Sequence, residues 1–374
     1  MRLAEIRETI RGIMRSSPGS SLLACVTAVC ACTDGDGGST AADATGSETS
    51  TGSGTAATTA ATRGSATEGA SDAGDTGSSG TTTGGASTTG GASTTGGAST
   101  TGGSSTTGGG LAGCPTPLPA DWIFCEDFES LQDPADRFFE YNDGGGRFVL
   151  VDDMGASGTH SMRATYEPAV EGTGWISVAF GENPAVYGGK PHIDPTGTYD
   201  EIWWRLRLRM EPGWPDVGPH KVTRATSIAK DDWGQAMIAH LWSAGSDVTL
   251  LGDPATCVQG GTVQCSGYND FANLSWLGQM NGTTPLFSSA ESGSFHCIEA
   301  HVRLNTPGAA DGVFEFWIDG NLENARYDLD WRGTYTDHGI NLVSFENYWN
   351  GGPPATLQRW IDDVAIATVP IGCD

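Results

Sequence analysis

Basic residues are scarce in this 374-residue chain: 19 Lys and Arg stand against 45 Asp and Glu, a formal net charge of −26. That balance excludes nucleic acid as an expected partner, because binding phosphates depends on Lys and Arg to neutralise them. No apolar run approaches the roughly 20 residues that a membrane-spanning helix needs. The longest candidate, Ser21 to Ala31, is far shorter. After residue 110 no CxxC or HxxxH spacing occurs, so no zinc pattern is present. Long stretches of helical hydrophobic period are missing as well, and the fold has to be built from strands. No motif for an organic cofactor stands out.

The first 32 residues carry arginines at 2, 7, 11 and 15, then the apolar run and a polar stretch, the layout of a bacterial export signal. Val29-Cys30-Ala31-Cys32 is similar to a lipobox, in which a small residue precedes the cysteine that is acylated and becomes the new N-terminus. Cys32 is therefore the lipidation candidate, with Cys25 second, and Met14 beside Arg15 competes with Met1 as the start. Membrane contact is expected only through that lipid, at the cell surface or outer membrane, with secretion as the alternative. Residues 33–110 are Gly, Ser, Thr and Ala with scattered acids and contain four related hexamers beginning at Ala86, Ala92, Ala98 and Ser104. No hydrophobic position recurs in them, so the segment reads as a disordered tether. Its mean reach is about 50 Å by random-coil scaling.

Residues 111–374 hold all twelve tryptophans and all seven histidines. Five basic and nine acidic residues precede 111, which leaves 14 and 36 in this segment, a net charge of −22. Its length suits one all-β domain, expected to be a monomer. Six of the nine cysteines lie here, and an even count in an exported domain points to disulfides. Cys257 and Cys265 flank a Gly-rich loop and are the expected pair; the other four are left open. Short strand patterns recur through the segment, with Asp-Gly turn signals at 311–312 and 319–320. The expected fold is a two-sheet antiparallel sandwich.

The sharpest alternation is Glu201-Ile-Trp-Trp-Arg-Leu-Arg-Leu-Arg-Met210. It puts Ile202, Trp204, Leu206, Leu208 and Met210 on one face and Trp203, Arg205, Arg207 and Arg209 on the other. With Lys221 and Arg224, these arginines make five of the segment's 14 basic residues. Guanidinium and indole suit an anionic polysaccharide, since Arg pairs with carboxylate in a bidentate fork and Trp covers the apolar face of a sugar. An ordinary solvated strand face is the other reading.

Trp122-Ile-Phe-Cys-Glu-Asp-Phe-Glu129, Glu299 to Gly308 with the following Asp311 to Gly320, and Trp360-Ile-Asp-Asp-Val-Ala-Ile366 resemble the concanavalin A-like lectin/glucanase superfamily. Within it, the chain is most similar to jelly-roll polysaccharide lyases of the alginate and glucuronan type, over most of 120–370. The resemblance implies two curved sheets with a concave, glycan-binding inner sheet, on which the arginine strand would lie. It also implies a structural calcium held by an acid near the first strand and one in the last. Glu129 and Asp362 match those positions, with Asp127 as an alternative to Glu129, and a surface carboxylate pair is the rival reading. Asp362 alternates with Val364 and Ile366, which would turn it towards the core, where calcium would relieve a costly bare carboxylate.

Cleaving a uronan by β-elimination needs a group to neutralise the carboxylate, a base for the C5 proton and an acid for the leaving oxygen. Arg205 or Arg207 is the expected neutraliser, His220 or His240 the base and Tyr348 the acid. Trp203, Arg209, Lys221, Arg224, His301, Arg303, Glu346, Asn347 and Trp349 are the expected substrate contacts. Phe345 to Gly352 resembles a groove-edge segment of these lyases, with an edge strand and turn as the alternative. Two departures stand out. The Arg-x-Glu-x-Arg strand of alginate lyases is Arg205-Leu-Arg-Leu-Arg209 here, and their Gln-x-His strand is absent. The Glu-x-Asp-x-x-Glu motif of laminarinase-like hydrolases is also missing, which argues against retaining hydrolysis. A non-catalytic glycan-binding lipoprotein and a structural or adhesive surface protein are the alternatives to a lyase.

Overall fold

The computed structural model describes residues 113–218, 220–243 and 248–373. The export signal, the Cys32 lipidation candidate and the tether lie outside the described residues. In chain order the strands are β1 (Trp122–Glu126), β2 (Glu140–Asn142), β3 (Phe148–Val151), β4 (Ser161–Tyr166), β5 (Gly172–Ala179) and β6 (Glu201–Met210). Then follow β7 (Lys221–Ile228), β8 (Gln235–Ser243), β9 (Leu250–Thr256), β10 (Val258–Gln259), β11 (Thr262–Val263) and β12 (Ser275–Trp276). The last are β13 (Met280–Asn281), β14 (Phe295–Arg303), β15 (Gly312–Ile318), β16 (Asn321–Leu329), β17 (Leu342–Tyr348) and β18 (Leu357–Ala367). A 3-10 turn at Pro134–Asp136 is the one helical element among the described residues.

Two eight-stranded antiparallel sheets form a jelly-roll sandwich. The first runs β16-β15-β14-β6-β18-β4-β3, with β1 also on β18; the second runs β12-β9-β8-β7-β17-β5-β2, with β13 also on β9. Period-two alternation supplies the core between them. Ile202, Trp204, Leu206, Leu208 and Met210 of β6 are fully buried and face Met237, Ala239 and Leu241 of β8 and Val343 and Phe345 of β17 in one cluster. Each large aliphatic or aromatic side chain buried this way contributes about 1.5–3 kcal/mol. Trp204 also ties the sheets together, donating its indole N–H to Thr223 Oγ1 at 3.1 Å. The β15–β16 hairpin turns at Asp319 and Gly320, both at positive φ, as the Asp-Gly pair requires.

Three disulfides join Cys114 to Cys125, Cys257 to Cys265 and Cys297 to Cys373. The second closes the loop holding β10 and β11, and its Cys257 and Cys265 pack with Leu274 on Ile238 and Ala255. The third clamps the C-terminal segment onto β14.

That clamp corrects the expected place of the arginine strand. β6 is central in the first sheet, and its arginine face is the sandwich's outer side beneath the chain's own C-terminal segment. Arg205 and Arg207 donate to the carbonyls of Gly372 and Cys373 at 3.1 Å each, and Glu299 accepts from the Ile371 and Gly372 amides. Arg207 pairs with Asp363 at 3.2 Å, and Arg209 bonds the Gly293 carbonyl and lies over Trp360. Alternation fixes which side chains share a face. It carries no information on what later segment covers them.

Candidate functional site

The outer face of the second sheet carries a different set of polar residues. Paired residues on neighbouring antiparallel strands share a face. Asp253 of β9 pairs with His240 of β8, His240 with Arg224 of β7, Arg224 with Ser344 of β17, Ser344 with Ser177 of β5, and Ser177 with Glu140 of β2. One row across six strands therefore reads carboxylate, imidazole, guanidinium, hydroxyl, hydroxyl, carboxylate. The next row towards the disulfide loop is Ala255, Ile238, Thr226, Leu342 and Ala179, all buried. In the other direction stand Trp242, Lys221, Glu346 and Trp175, of which only Glu346 is buried. The row from Ala255 to Ala179 makes a wall; the row from Asp253 to Glu140 is itself buried except at Glu140 and forms the floor together with the half-buried Trp242, Lys221 and Trp175, so the trough runs across the strands.

Arg224 and Glu346 form its centre, an ion pair at 2.8 Å with both groups buried. Tyr268 places its ring 4.4 Å under the Arg224 guanidinium and its hydroxyl 3.4 Å from Glu346, and Asn269 accepts from Arg224 at 2.9 Å. His240 Nε2 stands 3.9 Å from Glu346 and makes no hydrogen bond. Burial lowers the His240 pKa to about 3, with Lys221 and Arg224 adding to the effect and Glu346 opposing it, so the ring is neutral at ordinary pH. Burial raises the Glu346 pKa, but Arg224 and Lys221 outweigh it and hold the group ionised. The Lys221 amine is pushed down by burial and by Arg224, against Glu346, and lies 4.8 Å from the Tyr348 ring. Tyr348 donates to Glu171 at 2.5 Å. Burial raises the Asp253 pKa to about 6, against a hydrogen bond from Gln279, and burial likewise raises that of Glu140, which accepts from the Trp175 indole at 3.3 Å.

A buried cation holds this floor from beneath. The β7–β17 ladder is paired only as far as Thr223 and Phe345, and the strands meet again at His220 and Trp349. In the gap, Arg359 of β18, fully buried, donates to the carbonyls of Lys221 at 2.9 Å and Glu346 at 2.5 Å, and to Asn347 Oδ1 at 2.7 Å. The guanidinium thus satisfies backbone acceptors that the sheet leaves open.

Lys221, Arg224, His240, Glu346 and Tyr348 come together on this face. The other expected contacts do not. His220 is fully buried on the core side against Trp214, Phe287 and Trp349, its pKa well below the ordinary value through burial and the Arg359 charge. Asn347 and Trp349, expected at the groove, are also core residues, at 1% and 2% exposure. Trp203, Arg205, Arg207, Arg209, His301 and Arg303 belong to the first sheet. There His301 stacks on Trp203 at 4.0 Å and bonds Glu201 and Glu315 at 2.8 and 2.7 Å, while Arg303 reaches the Asp311 carbonyl at 3.2 Å. Tyr268, Asn269, Asp253, Trp242, Trp175, Glu140 and Glu171 were not legible as site residues. Trp242 alone had a signal, two positions from His240 on one strand.

The calcium candidates lie elsewhere. The alternation expected for Asp362 is broken by a bulge between Asp362 and Ala365, which pairs Asp362 with Arg207 on the outer face rather than turning it to the core. It is nevertheless fully buried, and its pKa rises to about 7 through burial and through Asp363, with Glu129 adding to the effect. Glu129 accepts from the Thr159 and His160 amides, and Asp127 from Cys114. No group of three or more His, Cys, Asp or Glu side chains is arranged to hold a metal among the described residues. Both Asp362 carboxylate oxygens accept backbone amides, from Ala156 at 2.6 Å and Asp363 at 2.7 Å.

The fold is similar to that of the endo-β-1,4-glucuronan lyase from the fungus Trichoderma reesei, at 16% identity and TM-score 0.45 over 66% of this chain and 96% of that one. It is also similar to the PL-14 alginate lyase from Aplysia kurodai, at 12% identity and TM-score 0.46 over 67% and 100%. The cellulose-induced protein Cip1 gives 16% identity and TM-score 0.37 over 67% and 100%. No protein-family model matches this chain. No curated protein matches it.

Proposed function

We propose that this chain is an exported polysaccharide lyase that cleaves a uronate-containing chain by β-elimination on the outer face of the second sheet. The observation that carries the reading is the grouping there of Lys221 and Arg224, a neutral imidazole at His240 and the Tyr348 phenol, on three adjacent strands. Lys221 and Arg224 neutralise the uronate carboxylate and so acidify the C5 proton. His240 takes that proton, the electron pair becomes the C4=C5 double bond, and the C4–O bond breaks as the leaving oxygen takes the Tyr348 proton. An imidazole of such low basicity in the free protein gains basicity when the anionic sugar docks beside it. Calcium between Glu129 and Asp362 is a structural element of this reading. So is acylation at Cys32, with residues 33–110 holding the domain away from the membrane, and the domain acts as a monomer.

The assay is ultraviolet absorbance of the unsaturated uronate product, on the full chain with calcium and a panel of acidic polysaccharides. A rise lost in His240→Ala and Tyr348→Phe supports elimination at this face; a rise retained in both variants refutes it. The Arg224–Glu346 pair supports a second reading, because the guanidinium charge is already compensated. Glycan binding without product would make the protein a tethered lectin.

A further inference from the structure

Charge along the trough is distributed unevenly, and this bears on which acidic polysaccharide fits. In the row Asp253–His240–Arg224–Ser344–Ser177–Glu140, the one permanent cation sits between two terminal carboxylates. At a strand spacing of about 5 Å, Arg224 is about 10 Å from the Asp253 position and about 14 Å from that of Glu140. Lys221, the other cation of the floor, is on the same strand as Arg224, and Glu346 on the next strand pairs with Arg224, so this one position along the trough holds two cations and one carboxylate and stays net positive.

A chain lying across the strands advances by the order of one strand spacing per sugar, about 5 Å. With one uronate at Lys221 and Arg224, the sugars two and three places away meet Asp253 and Glu140. Asp253 is 5% exposed and its Oδ1 has no hydrogen-bond partner. A carboxylate of this kind accepts hydroxyls from a neutral sugar. A second uronate there would set like charges together, which penalises the wrong ligand strongly. Trp175, beside Glu140 and bonded to it, offers the ring face a neutral pyranose needs.

We propose that the trough is built for a polysaccharide whose uronates are separated by neutral sugars, and that it discriminates against chains in which every residue is a uronate. This rests on the lyase reading above and narrows its substrate class.

The test compares initial rates of unsaturated-product formation by the full chain on three kinds of 4-linked uronate polymer. These are glucuronan and alginate, with a carboxylate on every sugar; hyaluronan, with one on every second; and deacylated gellan, with one on every fourth. The expected order is gellan, then hyaluronan, then the all-uronate chains, with about tenfold or more between the extremes. In Asp253→Asn with Glu140→Gln, the all-uronate rate rises relative to gellan. Glucuronan or alginate cleaved as fast as the spaced polymers, or a ratio unchanged in the double variant, overturns the inference and leaves the lyase reading standing. No product from any polymer removes both. Circular dichroism and a cooperative thermal unfolding transition show that the double variant is folded.

Discussion

Arg224 and Glu346, on adjacent strands of the second sheet, hold each other at 2.8 Å with neither side chain more than a tenth exposed. A pair so buried is held by its own completeness, since taking water from two charges costs more than one unpaired charge can regain. It also fixes where the positive charge of the trough begins.

Arg224→Ala leaves Glu346 without its ion-pair partner, with Lys221 the nearest remaining cation, and costs about 3–5 kcal/mol of stability, measured by urea unfolding. Glu346 has its folded pKa depressed, so its contribution is fully present above the unfolded carboxylate value and is lost as pH falls through the folded one. The wild type loses stability more steeply in acid than the Arg224→Ala variant.

Asp253 behaves in the opposite sense. Its folded pKa of about 6 lies above the unfolded value, so the folded state binds the extra proton and stability falls as pH rises between about 4 and 6. Asp253→Asn removes that dependence and stabilises the protein above pH 6 by up to about 3 kcal/mol. Thermal unfolding at pH 4.5 and pH 7.5, compared in the two proteins, checks the sign.

Tyr348→Phe keeps the ring beside Lys221 and removes the proton donor, so kcat falls by about 100-fold or more while KM changes little. An equal loss through KM alone would identify Tyr348 as a binding residue.

Opening the Cys257–Cys265 link acts on the trough wall. A Cys257→Ser, Cys265→Ser variant loses about 2–3 kcal/mol by loop entropy, and its larger effect is on glycan affinity through Tyr268 and Asn269. Isothermal titration with a uronate oligosaccharide reads that loss directly.

Calcium raises Tm and a chelator reverses the rise, with both responses abolished in Asp362→Ala. An unchanged Tm would place the relief of that buried carboxylate in protein groups alone.

The alternating strands of the first sheet could be read from the sequence because one face is apolar at every second position. β6 is buried on that face along its whole length, and His301 shares its outer face with Trp203 as its own alternation implied. β7 gave no such signal. Its inward Thr223 is polar, satisfied by the Ser344 carbonyl and the Trp204 indole, so the central strand of the trough lacks hydrophobic period. Polar residues in a sheet core are legible only once their partners are known. The same limit applied to Asp362, where one inserted residue shifts the face, and to Tyr268, which reaches Arg224 from a loop whose course no local pattern specifies.

Arg359 belongs to the first sheet, yet it closes the seam between the two strands that carry Lys221 and Glu346 in the second. The spacing of those two side chains is therefore set partly by the thickness of the sandwich. A substitution far down the core that lets the sheets approach or part by a fraction of an ångström would register at the trough as a change in width. The packing between the sheets thus acts as a gauge for the site above it.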